Sequence, residues 1–297
     1  MVDFIKIEVP NSEEYERVLL ESGYLNFKRF VSVDGEYTNY PQTSKYENLE
    51  VRITRSKVVI SGSLHKFYNM MTRKEEQNYT DFDRKELNEV IDLLIAEFKL
   101  RDFTHTITNM EFGLNLKVNF EPKRVIANSF IMFDYQEHSR LSQYDGKGYL
   151  KEFSMTDYLI KVYDKSSQYG IKDYFLIRIE IRYKRGRYLR SKKLYSIQDL
   201  KDTDVLKGFI DDFAEKVKRL KIIDYNRFVL PQGEVLASFD RWANPNTWKW
   251  YQTEKYTDKR IRTRKKNFEK LIEAYGLDKV RKYIFELIDC KFTELLY

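Results

Sequence analysis

The chain has 297 residues, 42% of them hydrophobic and only 11 Gly and 5 Pro, so it can bury one large core or two smaller ones and lacks the composition of a disordered segment. A single cysteine, Cys290, excludes a disulfide framework or a Cys-based zinc site and points to a reducing compartment, the cytoplasm. No apolar run reaches membrane-spanning length and the opening MVDFIKIEVPNSEEYE lacks the layout of a signal peptide, so neither a membrane partner nor secretion is expected.

Taken in chain order, period-two alternation marks Phe4–Val9 as a first strand, and Leu49–Thr54 with Lys57–Ser61 as a hairpin turning at Arg55-Ser56. The Tyr- and Asn-rich stretch between them reads as loop. Leu87, Ile91, Leu94, Ile95 and Phe98 share one face of an amphipathic helix over residues 83–99, with Asp83 as its N-cap. Three strands then carry the clearest pattern. In Ile107–Val118, Thr108, Met110, Phe112, Leu114, Leu116 and Val118 alternate with Asn109, Glu111, Gly113, Asn115 and Lys117. In Tyr158–Lys165, Leu159, Lys161, Tyr163 and Lys165 share one face; in Leu176–Tyr183, Arg178, Glu180 and Arg182 oppose Ile177, Ile179 and Ile181. A second amphipathic helix covers about 203–220, the pattern breaks around Arg227–Thr247, and helical texture returns over 256–273 and 277–290. The expected fold is α+β: a mostly antiparallel, RRM- or palm-like sheet of about five strands, with helices on one face and an open, charged face on the other. Residues 1–224 form this domain, and 225–297 a small, basic, helical C-terminal domain.

The net charge of +7 matters by its location. Residues 182–193, RYKRGRYLRSKK, hold seven cations and no acid, and Lys249–Leu271 holds nine cations against three acids. Clusters of this kind fit a polyanion, foremost nucleic acid, with Arg182, Lys184, Arg185, Arg187 and Arg190 in the first and Arg260, Arg262 and Arg264 in the second. The aromatic content of 15% adds rings on which unpaired bases stack, Tyr183 and Trp250 among them. Charge alone is equally compatible with two solvated basic surfaces.

Chemistry rests on few residues. Only His65, His105 and His138 exist, so a His-rich metal site is excluded, and His65 stands at a sheet rim just past the Ser61-Gly62 hairpin end. Glu111 and Glu180 lie on the polar faces of two strands; if those strands are neighbours, the carboxylates converge and suit Mg²⁺ or Mn²⁺. A cross-strand salt-bridge lattice with Lys161, Lys165 and Arg178 accounts for the same acids. Tyr163 is flanked by Lys161 and Lys165 on its strand face, and a phenol with an ordinary pKa of ~10 needs such a cation or a metal to act as a nucleophile at neutral pH. Phosphate-loop, dinucleotide and nucleophile-elbow motifs are absent from the sequence.

Four ordered blocks, NLEVRITRSKVVISGSLHKFYN (48–69), TITNMEFGLNL (106–116), YLIKVYDKSSQY (158–169) and FLIRIEIRYKRGRYL (175–189), together resemble the filamentous-phage replication endonucleases of the gene II protein family and the rolling-circle initiators of small plasmids. The resemblance implies that Tyr163 attacks DNA to give a 5′-phosphotyrosyl link, that Lys165 stands beside the phosphate, and that His65, Glu111 and Glu180 hold the metal. Lys161 and Arg178 would join the two basic clusters in holding single-stranded origin DNA, with the host helicase and polymerase as further partners and Tyr158 or Tyr169 as a second tyrosine. Two departures stand out: Asn109-Met110-Glu111 replaces the family's Arg-x-Asp, and the His-x-His of HUH-type endonucleases is missing. The alternatives are a non-catalytic protein binding single strands on an RRM-like sheet through Tyr163 and Tyr183, and a transposase or relaxase using the same tyrosine chemistry.

Overall fold

A computed structural model of the chain describes residues 1–31, 34–144, 148–224, 229–254 and 256–296. The first half reads β1 (Val2–Pro10), α1 (Glu13–Leu20), β2 (Lys28–Val31), β3 (Tyr37–Tyr46), β4 (Leu49–Ile53), β5 (Lys57–Ser63), α2 (Leu64–Arg73), α3 (Arg84–Glu97) and β6 (Thr106–Val118). It continues through α4 (Pro122–Asn128), β7 (Phe130–Phe133), β8 (Arg140–Tyr144), β9 (Gly148–Ser154), β10 (Tyr158–Asp164), α5 (Lys165–Tyr169), β11 (Phe175–Tyr183) and α6 (Gly186–Ser191). A 3₁₀ turn at Ile197–Lys201 then leads to α7 (Thr203–Lys218), β12 (Leu220–Ile222), α8 (Glu234–Ala243), α9 (Pro245–Thr253), α10 (Asp258–Ala274) and α11 (Lys279–Leu296).

Ten of these strands make one antiparallel sheet in the order β2-β3-β4-β5-β1-β6-β11-β10-β9-β8, and β7 pairs separately with β12. The fold is α+β with a helical C-terminal part, as expected, but the sheet is twice as wide. The strongly alternating strands occupy its middle, while β2 and β3 on one flank and β8 and β9 on the other were invisible to hydrophobic periodicity. The sequence of β3, YTNYPQTSKY, shows why: it is polar on both faces and rich in the Tyr and Thr that suit a flank more than a core. Asp83 caps α3 in a reciprocal capping box with Glu86, as its spacing predicts. The expected break around Arg227–Thr247 instead holds α8 and α9; Pro245 occupies the first turn of α9 behind an Asn244 cap, a position where proline starts a helix.

On the apolar face of β6, Phe112 meets Phe209 and Phe213 of α7 and Phe292 of α11. The last helix thus returns to the main core, where Ile284, Ile288, Phe292, Leu295 and Leu296 are buried. A second core joins Phe239, Trp248, Tyr251, Phe268 and Ile272 of α8 to α10 with Met132, Tyr135 and Ile223 from the β7–β12 region. The domain boundary drawn at 225 lies outside the described residues. No helix among them is long and apolar enough to cross a membrane.

Two irregularities in β1 and β6 decide which side chains reach the polar face. Lys6 pairs with Asn109 but Ile7 with Ile107, so Thr108 is an extra residue in a bulge and Ile107, not Thr108, joins the core. A second register shift separates Val2 from Ile5, both of which stand opposite core residues of β6, and it turns Asp3 away from the apolar face.

Candidate active site

Four neighbouring strands, β1, β6, β11 and β10, supply the site, in rows fixed by register. Lys161 stands opposite Glu180, and Glu180 opposite Gly113; Arg182 stands opposite Glu111; Tyr163 faces Arg178, which faces Asn115. Gly113 is glycine for a steric reason: a Cβ there would lie 2.5 Å from the Glu180 Cβ and 2.5 Å from the Ile179 carbonyl oxygen. The missing side chain leaves the room beside β6 that the Glu180 side chain occupies.

The polar face is not open along its whole length. The segment joining α2 to α3 roofs one end, where Asn115 Nδ2 donates to the carbonyls of Asn78 and Thr80, both at 3.1 Å. Asn78 is the centre of this roof: its Nδ2 donates to Asp3 Oδ2 at 2.8 Å, and its Oδ1 accepts from Lys165 Nζ at 2.8 Å and Tyr169 Oη at 2.6 Å. Lys161, Tyr163 and Arg182 remain partly exposed beyond it.

Within this frame the ionisable groups are tightly coupled. Lys161 Nζ bridges Glu111 Oε1 at 2.7 Å and Glu180 Oε1 at 2.9 Å. Arg178 uses every nitrogen, Nε on Glu180 Oε2 at 2.6 Å, Nη1 on Asn115 Oδ1 at 2.9 Å and Nη2 on Asp3 Oδ2 at 3.0 Å. Tyr163 Oη donates to Glu180 Oε2 at 3.3 Å, and Lys165 Nζ lies 5.4 Å from the Tyr163 ring centroid and 4.9 Å from that of Tyr169.

Burial raises the cost of every charge here, and the partners decide the outcome. For Glu180, burial is outweighed by Lys161 and Arg178, so its carboxyl titrates below the usual range; Asp3 is likewise held down by Arg178 and then Lys165 against its own burial. Glu111 goes the other way, pushed up by burial and by the Glu180 charge more than Lys161 pulls it down. Burial and the Glu180 charge also lift the Tyr163 phenol well above its ordinary value. Lys165 is lowered to about 7 by burial and the nearby Arg178.

Among the described residues, the side chains whose metal-capable atoms all lie within 4.8 Å of one another are Asp3, Glu111 and Glu180. Three carboxylates make an oxygen donor set of the kind hard divalent cations take. Asp3 was missed because strict alternation places it with Ile5, Ile7 and Val9 in the core; only the β1 register shift brings it round, and bulges leave little trace in a sequence. Asn78 lies in a non-repetitive segment, where periodicity has nothing to say.

His65 stands apart from this group. It sits in the first turn of α2, its ring stacked on Phe82 at 4.6 Å, with Nε2 3.1 Å from Thr80 Oγ1, and burial lowers its pKa to about 3. Arg178, expected on the DNA-facing surface, is buried and serves to position Asp3 and Glu180. Tyr183, expected on an open stacking surface, is buried on the helix side with its hydroxyl on Asp212 at 2.7 Å. Tyr158 accepts from Arg219 at 3.4 Å, away from the acids, whereas Tyr169 joins the Lys165–Asn78 cluster.

The basic stretch divides similarly. Lys184 donates to the Met155 carbonyl and to Ser154, Arg187 pairs with Asp157 at 2.8 Å, and Arg182 Nε donates to Asn109 Oδ1 at 3.2 Å and lies 3.8 Å from Glu111. Arg185, Arg187 and Arg190 are exposed around α6. In α10, Arg260 and Arg262 are exposed, while Arg264 packs over the rings of Tyr251 and Tyr256.

No family model matches the chain. No curated protein sequence matches it either. Among solved structures it is similar to a rolling-circle replication initiator protein from Geobacillus stearothermophilus, at a TM-score of 0.42 and 14% identity over 71% of this chain and 83% of that one.

Proposed function

We propose that the chain is a rolling-circle replication initiator, a metal-dependent nuclease that nicks single-stranded origin DNA with Tyr163. The observation that carries this reading is the hydrogen bond from Tyr163 to Glu180, one member of a three-carboxylate cluster built on adjacent strands, in a chain whose four sequence blocks resemble that family in order. Asp3, Glu111 and Glu180 would hold Mg²⁺ or Mn²⁺, which supplies polarisation of the scissile phosphate. Lys161 now occupies the space between two of these carboxylates and must swing out to admit the ion.

The residues of the chain do the rest. Tyr163 Oη attacks phosphorus as its proton passes to Glu180, its hydrogen-bond acceptor, the P–O3′ bond breaks, and that proton is returned through solvent to the leaving oxygen, giving the 3′-OH that a polymerase extends. Lys165, whose Nζ lies 5.4 Å from the Tyr163 ring centroid, offsets the charge gathering on the phosphate. The 5′-phosphotyrosyl ester keeps the energy of the broken bond, so strand closure needs no ATP. Arg185, Arg187 and Arg190, exposed around α6, would hold the backbone, and the host helicase and polymerase would act on the nicked product.

A labelled single-stranded origin oligonucleotide incubated with Mn²⁺ tests the proposal. The wild-type protein is expected to carry the label covalently, and Tyr163→Phe to lose it entirely; an unlabelled wild type, or a labelled Tyr163→Phe, sinks the assignment.

A further inference from the structure

The C-terminal helices carry a second concave surface that the nicking reading does not use. It is a groove of about 520 Å³ between α8, α9 and α10, lined by Arg241, Asn244, Asn246, Trp250, Tyr256 and Arg264, among others. That volume lies inside the range of about 300–1,000 Å³ typical of small-molecule sites.

Its composition is specific. The Arg264 guanidinium packs over two adjoining rings, 4.5 Å from the centroid of Tyr251 and 4.5 Å from that of Tyr256. Arg264 Nη1 is buried and has no hydrogen-bond partner among the described residues. Arg264 lines the groove and makes no ion pair among the described residues, so its charge is left for an anion there, and bidentate phosphate is what arginine matches best. The start of α9 faces the same groove: Asn244 caps it by accepting from Asn246 N at 2.9 Å, and the backbone dipole there also favours negative charge. Arg241 adds a second, exposed cation.

Beside this anion corner stands an uncovered ring. Trp250 is 49% exposed, with its centroid 5.4 Å from Tyr251 and 5.6 Å from Tyr256, so it is an open ring backed by the two tyrosines that also meet the arginine. An exposed indole next to a phosphate-seeking arginine matches one ligand chemistry well: a phosphate covalently tied to a flat heteroaromatic base. Stacking reads the face of a base, and in a duplex both faces are covered by neighbouring bases, so the base must be unpaired.

We propose that this groove binds a nucleotide unit of single-stranded nucleic acid, its phosphate on Arg264 and Arg241 and its base on Trp250. The site is independent of Tyr163, and the proposal stands whether or not the chain cleaves DNA.

The test uses the full chain as Tyr163→Phe, so cleavage plays no part, titrated with oligothymidylate while tryptophan fluorescence is followed. Trp250 is the most exposed of the three tryptophans, which all lie in α8 and α9, and is expected to be quenched on binding. Adding Trp250→Ala is expected to weaken binding about tenfold or more, the usual effect of removing one stacking ring. Arg264→Lys, which keeps the charge but loses the planar edge, is expected to weaken it several-fold, and thymidine monophosphate to bind at least tenfold more weakly than the oligomer. Unchanged affinity in both variants overturns the proposal. So does a mononucleotide that binds as tightly as the oligomer, or a blunt duplex that competes as well as the single strand.

Discussion

Arg178 and Arg264 show how differently the two halves of the molecule use the same side chain. Arg178 is buried in the sheet with Nε, Nη1 and Nη2 each on a partner. Arg264 is held by ring faces and leaves Nη1 without one among the described residues. In the sheet, charges satisfy one another and so fix positions to the precision that bond making needs. On α10, by contrast, Arg260 and Arg262 are exposed and Arg264 is stacked, although Arg281 and Lys291 of α11 do pair with acids. The nicking proposed for this chain would need both arrangements, one to place reacting atoms and one to hold a strand.

The sharpest way to break this contrast is to remove one arginine from each type of setting. Arg178→Ala leaves Asp3 and Glu180 buried without their shared cation, and breaking a buried pair costs about 3–5 kcal/mol. Arg260→Ala, on the exposed side of α10, is expected to shift stability by no more than about 0.5 kcal/mol. Urea unfolding midpoints measure both; equal losses would mean that the sheet charges are no more coupled than the surface ones.

A smaller effect separates a metal site from a salt-bridge lattice. Lys161 competes for the position a divalent ion would take, so Lys161→Met should destabilise the metal-free protein and tighten its hold on Mn²⁺ by tenfold or more. Mn²⁺ at a hundredfold excess over its dissociation constant should then return about 2.7 kcal/mol. Melting temperatures across a Mn²⁺ titration, for wild type and variant, measure this. A variant whose melting temperature ignores Mn²⁺ would leave Asp3, Glu111 and Glu180 as a lattice only.

How much of this was readable in the sequence follows from the physics of each signal. The central strands were legible because one of their faces is a helix-covered core, and burial enforces alternation. Glu111, Glu180, Lys161 and Tyr163 came together because their strands are neighbours and period two carries through β10 and β11. Asp3 was hidden by a register shift, Thr108 was put on the wrong face by a bulge, and Asn78 sits where backbone geometry follows tertiary contacts. The flanking strands escaped because burial there does not sort polar from apolar residues: Gln42 and Ser44 are buried in β3, and Lys151 is buried in β9 beside Leu150 and Phe153. The groove at Trp250 was half visible, as aromatics among cations, but only packing shows that Arg264 faces the rings and not the solvent.

The smallest expected effect concerns His65, the residue that joins α2 to the roof over the site. It is 2% exposed, stacked on Phe82, and its pKa is lowered to about 3 from an ordinary value near 6.5. Between those values the unfolded chain binds a proton that the folded one refuses, so this contribution is complete above pH 6.5 and is lost as pH falls toward 3. The loss approaches about 1.4 kcal/mol per pH unit. Glu111 titrates with the opposite sign, because its raised pKa lets the folded state take up a proton first on acidification. The wild-type curve therefore mixes the two, and the difference between wild type and His65→Gln isolates the histidine. Unfolding free energies at pH 6.5 and 5.5 should fall more steeply in the wild type, by about 1.4 kcal/mol at most over that unit. Parallel curves would mean that the folded protein accepts a charged imidazole there, and would return His65 to the groups free to face the acids.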